Sequence, residues 1–191
     1  MLDSAIQTQS TSPVNAFEEL KKIMDEAELW KKKQLLTRGH FLVSQGDRGQ
    51  DLFWVKSGAV RAYIMDGDKE LTIRFGYSGS FISPLDSFIT NRPTELWIQV
   101  IRKAEVLSID KTTFYQFIKT DKHRLNLWLE IIEMVTYQQF EREIDLLKSS
   151  PAERLHRVLE RSPGVFQEIP HKYIASYLRM TPETLSRLQK S

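Results

Sequence analysis

Ile169-Pro170-His171-Lys172-Tyr173-Ile174-Ala175-Ser176-Tyr177-Leu178-Arg179-Met180-Thr181-Pro182-Glu183-Thr184-Leu185-Ser186-Arg187-Leu188-Gln189-Lys190 is the stretch around which the chain is organised. Ile174, Ala175 and Leu178 recur at helical spacing, which predicts a short helix over 171–178. Thr181-Pro182 restarts the chain. Thr is a good N-cap, and Pro suits the first helical position because the N–H it lacks would have no partner there. The second helix then carries Leu185 and Leu188 on one face and Glu183, Thr184, Arg187 and Lys190 on another. Ala175 offers a small side chain where the two helices would cross. Periodicity alone is equally compatible with two small helices closing a core. Base-reaching side chains at the start of the second helix favour a helix-turn-helix, whose second helix enters the DNA major groove.

Composition narrows the classes. The chain has 191 residues, 41% of them hydrophobic, enough for one large or two small domains with real cores. It contains no cysteine, which excludes disulfides, thiolate zinc sites and cysteine-held iron–sulfur clusters. No apolar run approaches a membrane span, and Met1-Leu2-Asp3-Ser4 lacks the basic and apolar regions of a signal peptide, so a cytoplasmic protein with no membrane partner is expected. The net charge is +2. From Ser150 onward there are seven Lys and Arg against four Asp and Glu, so the basic excess sits in the tail, as DNA binding requires.

Upstream of the tail the pattern changes twice. Residues 1–12 are rich in Ser, Thr and Gln and read as a loose arm. Ser12-Pro13 opens a helix to about Ala27 with Phe17, Leu20, Ile23 and Met24 on its apolar face, and Lys31-Lys32-Lys33 reads as solvated surface. From Gln34 to about Asp110, aromatic and β-branched runs alternate with turn residues: 41–43, 52–55, 59–65, 71–75, 97–101 and 106–109. Asp66-Gly67 is a strong hairpin signal. Many short strands with Gly-punctuated turns predict a sandwich or barrel. A short helix over 111–118 and a long one over 122–148 follow, the latter about 40 Å long at ~1.5 Å per residue. Leu125, Trp128, Ile132 and Val135 form one apolar stripe on the long helix, and Leu129, Ile131, Met134, Tyr137, Phe140, Ile144 and Leu147 lie on other faces. A helix apolar on several faces needs cover on several faces. One stripe can pack on the chain's own β-region, and the other asks for a partner unless the helix is buried within one monomer. A second subunit along the Leu125 stripe is the preferred reading. Ser149-Ser150-Pro151-Ala152-Glu153 combines a cap, a proline at the first helical position and a capping box, marking a boundary before a helix to Arg161. Val165 to Ile169 is expected to add a short strand. The organisation is therefore α+β: 1–120, 121–149 as the long helix, and 150–191.

"YIASYL…TPETLSR" resembles the helix-turn-helix of the CRP/FNR family of bacterial transcription regulators. Gly39, Gly46-Asp47, "LFWVKSGAVRAY" and Gly79-Ser80-Phe81-Ile82 are similar to the antiparallel β-roll, a double-stranded β-helix, of cyclic-nucleotide-binding domains. The resemblance implies double-stranded DNA as partner, a homodimer along the long helix, and base reading by Glu183 and Arg187. Thr181, Thr184, Ser186, Lys190 and Lys172 are then placed for phosphate contacts. Two departures stand out. Arg179 replaces the glycine usual in the turn, a position that suits a left-handed residue. Ser83-Pro84-Leu85 and Thr94-Glu95 stand where nucleotide-binding members carry the ribose-binding Glu and the phosphate-binding Arg, and Arg92 comes two residues early. The resemblance therefore implies a regulator that does not answer to cyclic AMP. Any other small-molecule effector would meet Ser83, Leu85, Arg92 and Thr94, or the long helix near Gln138 and Gln139. A cyclic-nucleotide sensor with a non-standard phosphate site is the alternative. The chain also ends at Ser191 without the C-terminal wing hairpin of many relatives, the pattern of a short form.

An enzyme of the cupin type needs a cluster of His and Glu at a barrel mouth. His40, His123, His156 and His171 are scattered along the chain, and no nucleophile–base pair or glycine-rich phosphate loop is present. No catalytic residue, metal or cofactor is expected.

Overall fold

The computed structural model describes residues 13–190, so the arm expected over 1–12 and the capping Ser12 lie outside the described residues. The first helix, α1 (Pro13–Glu26), buries Leu20 and Met24 and lays Phe17 and Ile23 against the same cluster, as its apolar spacing predicts. Six strands follow: β1 (Lys32–Leu36), β2 (Phe41–Val43), β3 (Asp51–Asp66), β4 (Lys69–Tyr77), β5 (Ser80–Ile82) and β6 (Trp97–Asp110), with a short helix α2 (Leu85–Thr90) between the last two. Every pairing is antiparallel, in the order β1-β6-β3-β4, with β2 on β6 and β5 on β3. This is the α+β roll expected from the alternation of short apolar runs and turns.

Two pairs of expected strands prove continuous. Residues 52–55 and 59–65 belong to the single strand β3, and 97–101 and 106–109 to β6. Their shared ladder runs from Asp51↔Asp110 to Tyr63↔Trp97 and shifts register at Val55/Ser57, Ser57/Ala59 and Ala59/Val60. Bulges let a strand bend without breaking its pairing. Gly58 makes this bend possible: its φ is +81°, and a Cβ there would lie 2.1 Å from the Lys103 carbonyl oxygen. Lys31 pairs with Asp110 and Lys33 with Glu105 at the surface.

Beyond the roll come α3 (Lys111–Lys119), α4 (Lys122–Leu147), α5 (Pro151–Arg161), α6 (Val165–Glu168), α7 (His171–Tyr177) and α8 (Pro182–Leu188). Asp110, Asp121 and Ser150 each cap the helix that follows by accepting a backbone N–H. The expected strand at 165–169 is instead one helical turn. Ile169 N–H donates to the Val165 carbonyl, which puts Val165 and Ile169, four apart, on one buried face. A segment of that length with two apolar ends fits either period, and packing decided it.

Among the described residues, three apolar clusters form the core. Val55, Val60, Ile98, Val100 and Val106 fill the roll. Trp54, Phe81, Phe88, Phe114, Leu127, Trp128 and Ile131 join the roll to α1, α3 and α4. The third cluster joins Ala59 and Ile101 of the roll to Leu155, Val158, Ile169, Ile174, Leu178 and Leu185 of the tail. The core of the tail is thus continuous with the outer face of the roll. Among the described residues no helix is long and apolar enough to cross a membrane.

Candidate functional site

Helices α7 and α8 form the expected pair. Thr181 caps α8 by accepting the Thr184 N–H at 3.2 Å, and its hydroxyl also lies 3.2 Å from the Thr184 hydroxyl, which can donate to it. Ile174, Ala175, Leu178 and Leu185 are fully buried where the helices cross. The turn holds Arg179 at φ 54°, in the left-handed region that favours glycine. Neighbouring bonds fix it: Met180 N–H donates to the Ala175 carbonyl, and the Arg154 guanidinium donates to the carbonyl of Arg179.

With Leu185 anchoring the inner face, Glu183, Ser186, Arg187 and Lys190 line one shallow solvent-facing groove with Pro182. Thr181 is exposed beside them, Thr184 is half-buried, and Lys172 is exposed on α7 with its ammonium 4.6 Å from the Tyr173 ring centre. Hydrogen bonds from the Glu183 backbone N–H and the Thr181 hydroxyl hold the Glu183 carboxyl below its ordinary range. At neutral pH this groove therefore presents an acceptor and cationic donors four residues apart, the pair of chemistries that distinguishes cytosine N4 from guanine O6 and N7.

The residues expected around an effector separate into two places. Ser83 is buried and donates its hydroxyl to the Asp51 carbonyl. Leu85 opens α2, and Arg92 is exposed. Thr94 is 2% exposed, and its hydroxyl donates to Asp86 at 2.7 and 2.9 Å. The same Asp86 carboxylate accepts the N–H groups of Ser87 and Glu95, each at 2.8 Å. The hydroxyls of Ser83 and Thr94 thus each have a partner within the fold. The donors that would greet an anion in this loop already converge on a carboxylate of the chain. Sequence reading missed Asp86. Its only signal is an acid eight residues before Thr94, with no periodicity to mark it.

Gln138 and Gln139 lie elsewhere, at a seam between β4, α4 and the tail. Gln138 accepts a hydrogen bond from Arg74 at 3.0 Å. The seam is tightly bonded. At the β3–β4 register shift Ala62 faces Arg74 and Tyr63 faces Thr72, leaving Ile73 as the extra residue. Thr72 N–H donates to Ser176 Oγ of α7, and Ser176 donates on to the Glu70 carbonyl. Arg61, 2% exposed, is sandwiched between the rings of Tyr63 and Tyr173 while bonding Glu70 and Gln99. Across the α4–α5 joint, Asp145, 1% exposed, accepts from Arg157 at 2.6 Å and Arg161 at 2.5 Å, and Glu141 accepts from Arg157 at 2.9 Å.

The stripe expected to meet a second subunit is only partly available. Trp128 is buried against Phe114 in the chain's own core, and Ile132 and Val135 pack on the same cluster. Of the four residues expected there, Leu125 is exposed, Ile132 and Val135 are half-buried and Trp128 is buried. Trp128 is taken up by the chain's own core because α1 and α3 pack on that side of α4. The exposed apolar side chains of α4 are Leu125, Leu129, Tyr137, Phe140 and Leu147. Leu125, Leu129, Phe140 and Leu147 fall on one helical face, opposite Leu127 and Ile131.

The histidines lie on separate elements. His40 lies between β1 and β2, His123 meets Glu19, His156 meets Glu160, and His171 packs on Phe166.

Residues 33–121 match the family profile of the cyclic nucleotide-binding domain. No curated protein matches the sequence. Among solved structures, a CooA mutant from Carboxydothermus hydrogenoformans is similar with TM-score 0.71 at 18% identity, covering 90% of this chain and 82% of that one. The c-di-GMP responsive global regulator CLP of Xanthomonas campestris is similar with TM-score 0.66 at 17% identity, over 89% of each chain. A CRP-family transcriptional regulator from Thermus thermophilus is similar with TM-score 0.62 at 15% identity, covering 83% of this chain and 82% of that one. The fold, roll and tail together, is the one these proteins share.

Proposed function

We propose that this chain is a transcription regulator of the CRP/FNR type that binds double-stranded DNA as a homodimer and does not answer to cyclic AMP. The observation that carries the reading is the solvent face of α8: Glu183, Ser186, Arg187 and Lys190 in one groove, on a helix seated by the buried Leu185. Glu183 and Arg187 read bases. Lys190, Ser186, Thr184, Thr181 and Lys172 meet phosphates, which position a protein without reading sequence. The two classes fail differently. Arg187→Ala costs ~1–3 kcal/mol on the specific site and relaxes the base preference there. Lys190→Ala weakens specific and random DNA alike and flattens the salt dependence. Binding-site selection followed by titration at two salt concentrations checks both. Base preferences that survive Arg187→Ala unchanged remove Arg187 from the reading face, and no enriched motif from an intact dimer removes the regulator reading.

The dimer uses the face of α4 bearing Leu125, Leu129, Phe140 and Leu147. Leu129 is half exposed and Phe140 59% exposed in the protomer, so neither is needed for its own core. Leu129→Glu would bury an unpaired carboxylate in the seam and weaken association by about 3 kcal/mol, roughly a hundredfold. Trp128→Glu would instead unfold the protomer. Sedimentation with parallel thermal melts separates the two effects. A Leu129→Glu protein as dimeric as wild type places the contact on another face.

The cyclic-nucleotide alternative needs the phosphate to displace Asp86 from Ser87, Thr94 and Glu95. Two anions in one partly buried loop repel. Calorimetry is expected to find no saturable micromolar site for cyclic AMP or cyclic GMP, and finding one restores the sensor reading.

A further inference from the structure

Arg154 of α5 is half-buried and spans the joint between the long helix and the helix pair. One terminal nitrogen of its guanidinium donates to the Lys148 carbonyl at 2.9 Å, and the other donates to the Arg179 carbonyl at 3.4 Å. Its Nε is buried and has no partner among the described residues. A guanidinium is a rigid plane, so two carbonyls gripped by its two ends cannot shift independently. Arg154 therefore holds two places in the chain at a set separation.

Both places bear on where α8 lies. Lys148 is the residue at which α4 ends, directly after the exposed Leu147 of the face assigned to the dimer. Arg179 is the left-handed residue of the turn, and the chain passes from it through Met180 and Thr181 into α8. A residue held in that backbone region persists only where its surroundings over-determine it. The Arg179 N–H donates to the Ser176 carbonyl at 3.2 Å and the Met180 N–H to the Ala175 carbonyl at 3.0 Å, which ties the turn back to α7. Arg154 ties it to α5 and to the end of α4. The neighbouring bonds act elsewhere in the tail: Asp145 fastens Arg157 and Arg161 of α5, and Ser176 of α7 bridges the Thr72 N–H and the Glu70 carbonyl. Lys148 and Glu153 pair at the same joint, but at the surface, where an ion pair contributes little.

We propose that Arg154 is a positioning residue for DNA reading: by joining the Lys148 and Arg179 carbonyls it fixes α8 relative to the dimer seam on α4. A two-fold dimer reads two half-sites, and their separation follows the distance between its two recognition helices. Arg154 thus sets which half-site spacing the dimer accepts, while α8 reads the bases within each half-site. The tie stands on its own geometry. Its effect on spacing rests on the regulator reading and the α4 seam given above.

The test uses the full chain and three variants. Arg154→Met keeps the apolar stem and removes both donors, Arg154→Lys leaves a single ammonium, and Glu153→Gln breaks the surface pair at the same joint. Hydrogen exchange without DNA is expected to quicken at least about threefold between Met180 and Leu185 in Arg154→Met, with the Val158 amide of α5 as in wild type. Glu153→Gln should exchange like wild type throughout. Binding-site selection is expected to give wild type one half-site spacing. Arg154→Met should keep the base preferences within each half-site. Its affinity ratio between that spacing and spacings about one base pair longer or shorter should fall at least about threefold. Arg154→Lys should lie between, since an ammonium cannot hold both carbonyls as a fork does. A general loss of stability would instead lower affinity alike at every spacing. The proposal is overturned if either the exchange at the turn or the spacing ratio of Arg154→Met matches wild type, or if Glu153→Gln relaxes spacing as far. It is also overturned if neither Arg154 variant folds, which would make the residue a requirement of the fold. A wild type that selects no paired motif, while Arg154→Met still quickens exchange at the turn, removes the regulator reading and leaves the tie.

Discussion

Gly58→Ala is expected to leave little or no folded protein. The new Cβ would lie 2.1 Å from the Lys103 carbonyl oxygen and 2.6 Å from the Ala104 Cα, both backbone atoms of the paired strand. Neither can rotate away, so β6 must shift and give up ladder bonds at the bulge. Overpacking of this kind costs about 1–3 kcal/mol. The left-handed backbone at φ +81° adds about 1–2 kcal/mol for any residue with a Cβ. Together these approach the whole stability of a marginal fold. Gly67→Ala is the control. Its φ is +56°, but nothing lies within 4 Å of an added Cβ, so only the backbone term of about 1 kcal/mol applies. Denaturation of both variants beside wild type measures the difference. Equal losses would mean that β3 and β6 do not approach as closely as described.

Asp145→Ala is expected to cost about 3 kcal/mol, the lower end of the range for breaking a buried pair, because the two guanidinium groups keep some water and Glu141. The carboxylate is 1% exposed and joins α4 to two arginines of α5. Its loss loosens the joint between the long helix and the tail more than the roll itself. Limited proteolysis should therefore cut near Ser149-Ser150 before the roll is attacked. Asp145→Asn keeps acceptors for both arginines and should lie between wild type and alanine. An alanine variant with wild-type melting and cleavage would show that α5 is held by its apolar face, Leu155 and Val158, alone.

Local signals proved legible where chemistry and spacing coincide within a few residues. Ser150-Pro151 with Glu153 marks the start of α5, and Thr181-Pro182 marks that of α8, because caps and first-turn prolines act on adjacent backbone. The unusual Arg179 is where the sequence places the strained turn residue. Features that depend on distant segments were not legible. Both apolar faces of α4 can be read as stripes, but which one turns inward depends on α1 and α3, far apart in sequence. Asp86 meets Thr94 and Glu95 only because α2 returns the chain to the start of β6. Arg74 meets Gln138 across 64 residues, and neither side chain marks its own strand or helix as unusual. Val165 to Ile169 is too short for its period to be read before its neighbours are known.

The Asp86 carboxylate, bound by Ser87, Thr94 and Glu95, has a further consequence. A tethered group does not dilute. Its effective concentration is set by the few bonds joining it to its donors, commonly in the millimolar range or above, and is the same in one cell volume as in another. On the reading proposed above, a diffusing anion would have to outcompete that fixed local supply. On that reading the α2 loop is a receptor whose ligand is encoded in its own gene. What can still vary from moment to moment is the number of copies of the chain and whatever enters the molecule at a different place.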